Sequence, residues 1–134
     1  MKSALKNLLI ISALIPATVL LGLTYFFLPG FIMKITFSVE EVLILISMIF
    51  GIFGFLGLTL SLIPKFEKEY QMKVILLTLG VIGALVFMTI TGGEKAWKWM
   101  LKIEELNEWI IWAWPILVSL ILIFINGRKI CRRD

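Results

Sequence analysis

The chain contains no histidine and only one cysteine among its 134 residues. These absences exclude histidine-based acid–base catalysis, metal sites built from histidine or several cysteines, and a disulfide within the chain. Charged residues are also scarce, at 16% against roughly 25% in soluble domains, whereas 60% of the residues are hydrophobic. We therefore expect a bilayer-embedded protein of one domain, residues 1–134, with no separate soluble catalytic unit.

The apolar residues fall into long runs without Asp, Glu, Lys or Arg. A helix rises 1.5 Å per residue, so about 20 apolar residues cross a hydrocarbon core of roughly 30 Å. The runs predict an all-α, polytopic membrane protein with four transmembrane helices, at about residues 8–28, 42–63, 74–91 and 109–125. Helix-stop signals follow the runs, at Pro29-Gly30, Pro64, Gly92-Gly93 and Asn126-Gly127. Ser38 and Glu41 have the spacing of a capping box before the second helix.

The first run has a second interpretation. Lys2 and Lys6 precede it as they would precede the apolar core of a cleavable signal peptide. That core is typically about 7–15 residues long, and this run continues well beyond it. We expect the run to be retained as a membrane span.

The basic residues predict the orientation of the spans. With four spans, the two termini and the 64–73 loop share one side of the membrane. That side has nine basic residues, Lys2, Lys6, Lys65, Lys68, Lys73, Arg128, Lys129, Arg132 and Arg133, whereas the other has only Lys34, Lys95, Lys98 and Lys102. Short cytoplasmic loops are enriched in Lys and Arg. We expect a bacterial cytoplasmic membrane protein with both termini in the cytoplasm, and no nucleic acid partner, because no aromatic or glycine pattern accompanies the basic tail.

The stretch before the fourth span is rich in tryptophan. Apolar residues at spacings of three and four predict an extracytoplasmic, interfacial amphipathic helix at about residues 94–108. Its tryptophans are typical of an aromatic belt at the membrane surface. They also suit a docking surface, since tryptophan is enriched in interface hot spots. The candidate docking residues are Trp97, Trp99, Ile103, Leu106 and Trp109.

Small residues recur on the second and third predicted helices. They are Ser47, Gly51, Gly54, Gly57 and Ser61 on the second, and Gly80, Gly83 and Ala84 on the third. Stripes of this kind let the backbones of membrane helices approach closely. The pattern predicts that these two helices pack together, and the alternative is that part of the stripe receives a helix from another chain.

Candidate chemistry is weak throughout the sequence. Ion-coupled transporters usually keep ionisable groups within their spans, and the four runs have none. Glu104, Glu105 and Glu108 are better explained as a solvated helix face than as metal ligands or catalytic acids. Cys131, among basic residues, has the setting of a lipidation site or of a reactive thiol, but an unmodified tail cysteine is the favoured interpretation. We expect no catalytic residue, metal or cofactor.

Elimination favours one function over its alternatives. The first hypothesis is a non-enzymatic membrane protein that binds another membrane or membrane-active protein, as an accessory subunit or an immunity-type protein. Its partners are then the lipid bilayer and either another membrane protein or further copies of itself. The alternative is a small oligomeric channel or transporter. A lipid-modifying enzyme using the three glutamates is the third and has the fewest supporting residues.

Overall fold

The computed structural model describes residues 2–102 and 106–132, which form an antiparallel bundle of four long helices. The helices are α1 (Lys2–Lys34), α2 (Val39–Leu62), α3 (Tyr70–Leu101) and α4 (Leu106–Cys131), with a short 3₁₀ turn at Pro64–Phe66. All four are long and apolar enough to cross a membrane. The prediction of a helical protein with four helices of spanning length and composition is confirmed.

The helices pack unequally. α2 and α3 make the most extensive contact, α4 packs on α3, and α1 lies against α2 and α4. We call the end with the start of α1, the α2–α3 connection and the end of α4 the termini end, and the opposite end the far end. The buried apolar core, which includes Ile10, Leu58, Leu77 and Leu122, lies in the half of the bundle next to the termini end.

Two of the predicted helix stops are wrong. α1 continues through Pro29-Gly30 to Lys34, and α4 continues through Asn126-Gly127 to Cys131. In α1 the residues after the stop, Phe31, Ile32 and Met33, are apolar, and a helix that ended before them would leave its last carbonyl groups without water or other donors. In α4 the stop is followed by Arg128 and Lys129, whose positive charges are favourable in the last turn of a helix. The helices are therefore longer than the uncharged runs they contain.

The predicted capping residues at the start of α2 form only half of a capping box. Ser38 Oγ accepts a hydrogen bond from the Glu41 N–H at 3.3 Å, as in a capping box. The Glu41 carboxylate does not complete the box but accepts from the N–H and the hydroxyl of Thr36, both at 2.8 Å. Glu41 thereby ties the start of α2 to the connection that precedes it.

α3 bends where the sequence predicts a stop. Gly93 has φ 52° and ψ −139°, outside the helical region, and separates residues 70–92 from a second helical segment, residues 94–101. Positive φ is accessible to glycine without the penalty of a Cβ atom. Residues 94–101 of the predicted interfacial helix are helical, and its amphipathic, extracytoplasmic character stays a prediction. Ile103, Glu104 and Glu105 lie outside the described residues, and α4 begins at Leu106.

Candidate partner-binding cavity

The predicted small-residue stripe lies partly at the α2–α3 contact. A Cβ atom built on Gly54 would lie 2.7 Å from Gly80 Cα, so the two backbones touch. A Cβ on Gly57 would lie 3.1 Å from the Leu76 side chain, and one on Gly83 would lie 2.6 Å from that of Phe50. Distances below 3.0 Å leave no room for a methyl group, so at Gly54, Gly80 and Gly83 the contact requires glycine.

Gly51 belongs to the same stripe but has different surroundings. No atom outside its own helix lies within 4 Å of a Cβ built there, and the residue is exposed. The two serines of the stripe are buried, and their hydroxyl groups donate to their own helix, Ser47 to Leu43 O at 2.7 Å and Ser61 to Gly57 O at 2.8 Å. The space next to the Cα atom of Gly51 is thus not filled by a neighbouring helix.

Gly51 lines a half-open cavity of about 570 Å³ in the half of the bundle next to the far end. All four helices contribute to its wall, with residues between 17 and 31, 44 and 58, 80 and 88, and 112 and 119. Small residues form part of the wall, namely Ala17, Gly51, Gly80, Ala84 and Ser119. Bulky aromatic residues form another part, namely Phe27, Phe31, Phe87 and Trp112. The cavity arises because small residues meet where α1 does not close over α2 and α3.

The chemistry of the cavity is apolar. Thr24 and Ser47 are two of its few polar lining residues, and their hydroxyl groups already donate to carbonyls of their own helices, Leu20 O at 2.9 Å and Leu43 O at 2.7 Å. None of the described residues that line the cavity is charged. Their side chains therefore offer mainly van der Waals contact to an apolar group.

Aromatic side chains hold the helices around the cavity. The rings of Phe87 on α3 and Trp112 on α4 are stacked, with centroids 6.3 Å apart. Trp114 Nε1 donates a hydrogen bond to Ser12 Oγ at 3.0 Å, which joins α4 to α1. These contacts fix the relative positions of α1, α3 and α4.

The predicted docking residues lie at the far end. Trp97 is 37% exposed, and its Nε1 donates to Thr89 Oγ1 at 3.2 Å across the Gly93 bend. Trp99 and Trp109 are half-buried on α3 and α4, and Leu106 is 60% exposed. Ile103 lies outside the described residues. The cavity and this tryptophan-rich surface are therefore at the same end of the bundle.

Two buried polar residues were not singled out from the sequence. Lys73 is 1% exposed and Asn126 is 2% exposed. In the sequence, Lys73 counts among the basic residues that predict orientation, and Asn126 belongs to a predicted helix stop. Their helical spacing could have indicated that they are buried. Lys73 precedes the buried Leu77 by four residues, and Asn126 follows the buried Leu122 by four, so each pair lies on one face of its helix.

The described residues contain no group of three or more His, Cys, Asp or Glu side chains that could hold a metal ion. Glu108 and Cys131 are exposed there, whereas Glu104 and Glu105 lie outside this part of the chain. No known protein family, curated protein or solved structure matches this chain.

Proposed function

We propose that this chain is a non-enzymatic membrane protein that acts by binding another membrane or membrane-active protein, as an accessory subunit or an immunity-type protein. The observation that carries the proposal is the half-open apolar cavity of about 570 Å³. Its volume lies within the roughly 300–1,000 Å³ of small-molecule pockets and is large enough to take several apolar side chains. Its lining favours an apolar occupant, because Thr24 and Ser47 direct their hydroxyl groups to their own helices.

The occupant that we propose is an apolar helix of the partner. Membrane helices associate through close packing at small residues, because lipid supplies no hydrophobic drive between them. Gly54, Gly80 and Gly83 are used for this purpose within the chain, whereas Gly51 faces open space. A helix is about 10–12 Å across with its side chains. The partner helix therefore lies along the mouth of the cavity and places bulky apolar side chains inside it.

The proposed setting is a bacterial cytoplasmic membrane, with the termini end in the cytoplasm. The nine basic residues predicted for that side support this orientation, since Lys and Arg are enriched in short cytoplasmic loops. The far end then lies at the outer surface, with residues 94–101 and the start of α4 at the interface. Trp97, Trp99 and Trp109 serve there both as an aromatic belt and, with Ile103 and Leu106, as the rim of the docking surface.

Site-specific photo-crosslinking in membranes of the native host tests the proposal. A photoreactive amino acid replaces Phe27 at the cavity or Leu101 on the far-end segment, where the side chains are 57% and 81% exposed. The matched control position is Ile75, which is 60% exposed on α3 near the termini end and away from the cavity. We expect one and the same foreign membrane protein to be captured from Phe27 and Leu101 but not from Ile75.

The same experiment separates the proposal from the channel hypothesis. Crosslinks from Phe27 that join only copies of this chain would contradict binding of a foreign protein. They would instead support a homo-oligomer, for which ion or solute flux across liposomes is the next measurement. Equal capture of many proteins from all three positions would show lipid-facing surfaces without a docking site.

A further inference from the structure

Two buried polar side chains lie at the termini end, on facing helices. Lys73 of α3 and Asn126 of α4 are both almost fully buried, at 1% and 2% exposure. The Asn126 Nδ2 atom has no hydrogen-bond partner among the described residues. Buried polar groups are nearly always hydrogen-bonded, so an unpaired donor of this kind points to a missing acceptor.

The register of α3 against α4 places these two residues at the same level. Phe87 stacks on Trp112, and Lys129 Nζ lies 5.1 Å from the centroid of the Tyr70 ring. The two pairs are the same number of residues apart in each helix, so the antiparallel register is constant between them. Three residues after Tyr70 and three before Lys129, the register brings Lys73 opposite Asn126.

The Lys73 ammonium group makes one hydrogen bond among the described residues, to a backbone oxygen. Its Nζ donates to the backbone oxygen of Glu67 at 3.2 Å, and an ammonium group has three donors. No carboxylate oxygen of the described residues lies within 4.0 Å of this Nζ. Glu67 and Glu69 act on it only over longer distances, as do the ammonium groups of Lys6 and Lys129.

The Tyr70 ring brings two of these cations together. Lys73 Nζ lies 5.9 Å and Lys129 Nζ lies 5.1 Å from its centroid, within the range of cation–π interaction. The corner between α3 and α4 thus holds converging cations and an unpaired N–H donor.

We propose that this corner binds one phosphate-class anion, either the headgroup phosphate of an anionic phospholipid or free inorganic phosphate. Phosphate has several acceptor oxygens, so one group accepts from the Lys73 ammonium and from the Asn126 amide together. Basic pockets between membrane helices bind anionic headgroups in this way. The site is independent of the cavity, which lies in the opposite half of the bundle.

Thermal unfolding of the full chain in neutral detergent tests the site. The melting temperature is measured with phosphatidylcholine, with phosphatidylglycerol and with inorganic phosphate. We expect phosphatidylglycerol, inorganic phosphate or both to raise it, and phosphatidylcholine to leave it unchanged. A rise with inorganic phosphate alone identifies the free ion as the ligand, whereas a rise that requires phosphatidylglycerol identifies the lipid. No rise with either anion would overturn the proposal.

Matched variants distinguish this site from general attraction to basic residues. Lys73→Met keeps the apolar stem and removes the buried charge, so the anion-dependent rise should disappear. Lys68→Met removes an exposed charge from the nearby connection, and this variant should keep the anion-dependent rise in melting temperature. Equal loss in both variants would contradict a specific site.

Asn126→Leu gives an independent test that does not depend on the folding of Lys73→Met. It replaces the unpaired amide by an apolar group of similar size, so the ligand-free protein should melt at a higher temperature than the wild type. Addition of the anion should then raise the melting temperature of this variant by less than it raises that of the wild type. An undiminished rise would show that the amide does not contact the anion.

Discussion

Glycines on α2 have two kinds of surroundings. At Gly54 the backbone touches that of Gly80, and a Cβ atom would meet Gly80 Cα at 2.7 Å. At Gly51, one helical turn earlier, a Cβ atom would meet no neighbour within 4 Å. The same residue type therefore supports helix packing at one position and keeps a cavity open at the other.

Leucine substitutions separate these two roles. Gly54→Leu forces a side chain into a contact between backbones, and overpacking of this kind costs roughly 1–3 kcal/mol or more. Gly51→Leu points into the cavity and should change the free energy of unfolding by less than about 0.5 kcal/mol. Thermal unfolding in detergent measures both. Equal destabilisation by the two substitutions would show that Gly51 is also packed.

Ser12 joins two helices through a single hydroxyl group. It accepts from Trp114 Nε1 at 3.0 Å and donates to Leu9 O at 2.7 Å. Hydrogen bonds between membrane helices contribute about 0.6 kcal/mol on average and at most about 1.7 kcal/mol. We expect Ser12→Ala to lower the free energy of unfolding by an amount in this range.

Thr18→Ala on the same helix is the control for Ser12→Ala. The Thr18 hydroxyl donates only to Leu14 O of its own helix, at 2.7 Å, and the residue is exposed. Its loss should leave stability nearly unchanged. If both variants unfold alike, the hydrogen bond to Trp114 contributes nothing to the α1–α4 contact.

At the scale of the element, the bend in α3 depends on one residue. Gly93, at φ 52°, directs residues 94–101 away from the axis of the preceding helix. Gly93→Ala places a Cβ atom in a positive-φ conformation (φ 52°, ψ −139°) that is essentially restricted to glycine, at a cost of roughly 1–3 kcal/mol. We expect the segment to straighten or become heterogeneous, which changes the distance between spin labels at residues 75 and 101.

Gly127→Ala provides the comparison for this substitution. Gly127 lies inside α4, and a Cβ atom there would meet nothing within 4 Å. The label distance should remain as in the wild type, because this glycine has no special conformation. An unchanged distance in Gly93→Ala would mean that the bend does not depend on glycine.

The existence of the four helices is predictable from the sequence, but two of their ends are not. A long uncharged run has to be helical in a bilayer, because its backbone groups have no water to bind. Pro29 and Asn126-Gly127 are residue types that often end helices, but proline and glycine are tolerated inside membrane helices, and α1 and α4 continue through them. Ser38, by contrast, caps α2 as predicted, because its hydroxyl bonds to the nearby Glu41 N–H.

At the scale of the whole molecule, the bundle has a packed half and an open half. Ile10, Leu58, Leu77 and Leu122 fill the half next to the termini end, whereas the cavity occupies the other. The positions of the small residues are visible in the sequence. Whether the space beside a given small residue is filled depends on how far α1 lies from α2 and α3. No local sequence pattern encodes that distance. The juxtaposition that we infer for Lys73 and Asn126 likewise depends on the register of α3 against α4.

The orientation of the bundle has a direct chemical test. Cys131 is exposed near the termini end, and it is the only cysteine of the chain. With that end in the cytoplasm, a membrane-impermeant maleimide should label Cys131 only after the cells are permeabilised. In a Cys131→Ser background, Leu101→Cys at the far end should be labelled in intact cells. The reverse pattern would contradict the proposed orientation.

If the cavity binds a helix of another membrane protein, a bulky side chain inside the cavity should prevent capture of that protein. The yield of the foreign protein crosslinked from Leu101 is measured in Gly51→Leu and in Gly22→Leu. Both glycines are exposed in helices with open space around them, but only Gly51 lines the cavity. We expect Gly51→Leu to abolish capture at an unchanged melting temperature and Gly22→Leu to preserve capture. Equal capture by the two variants would show that the cavity does not bind the partner.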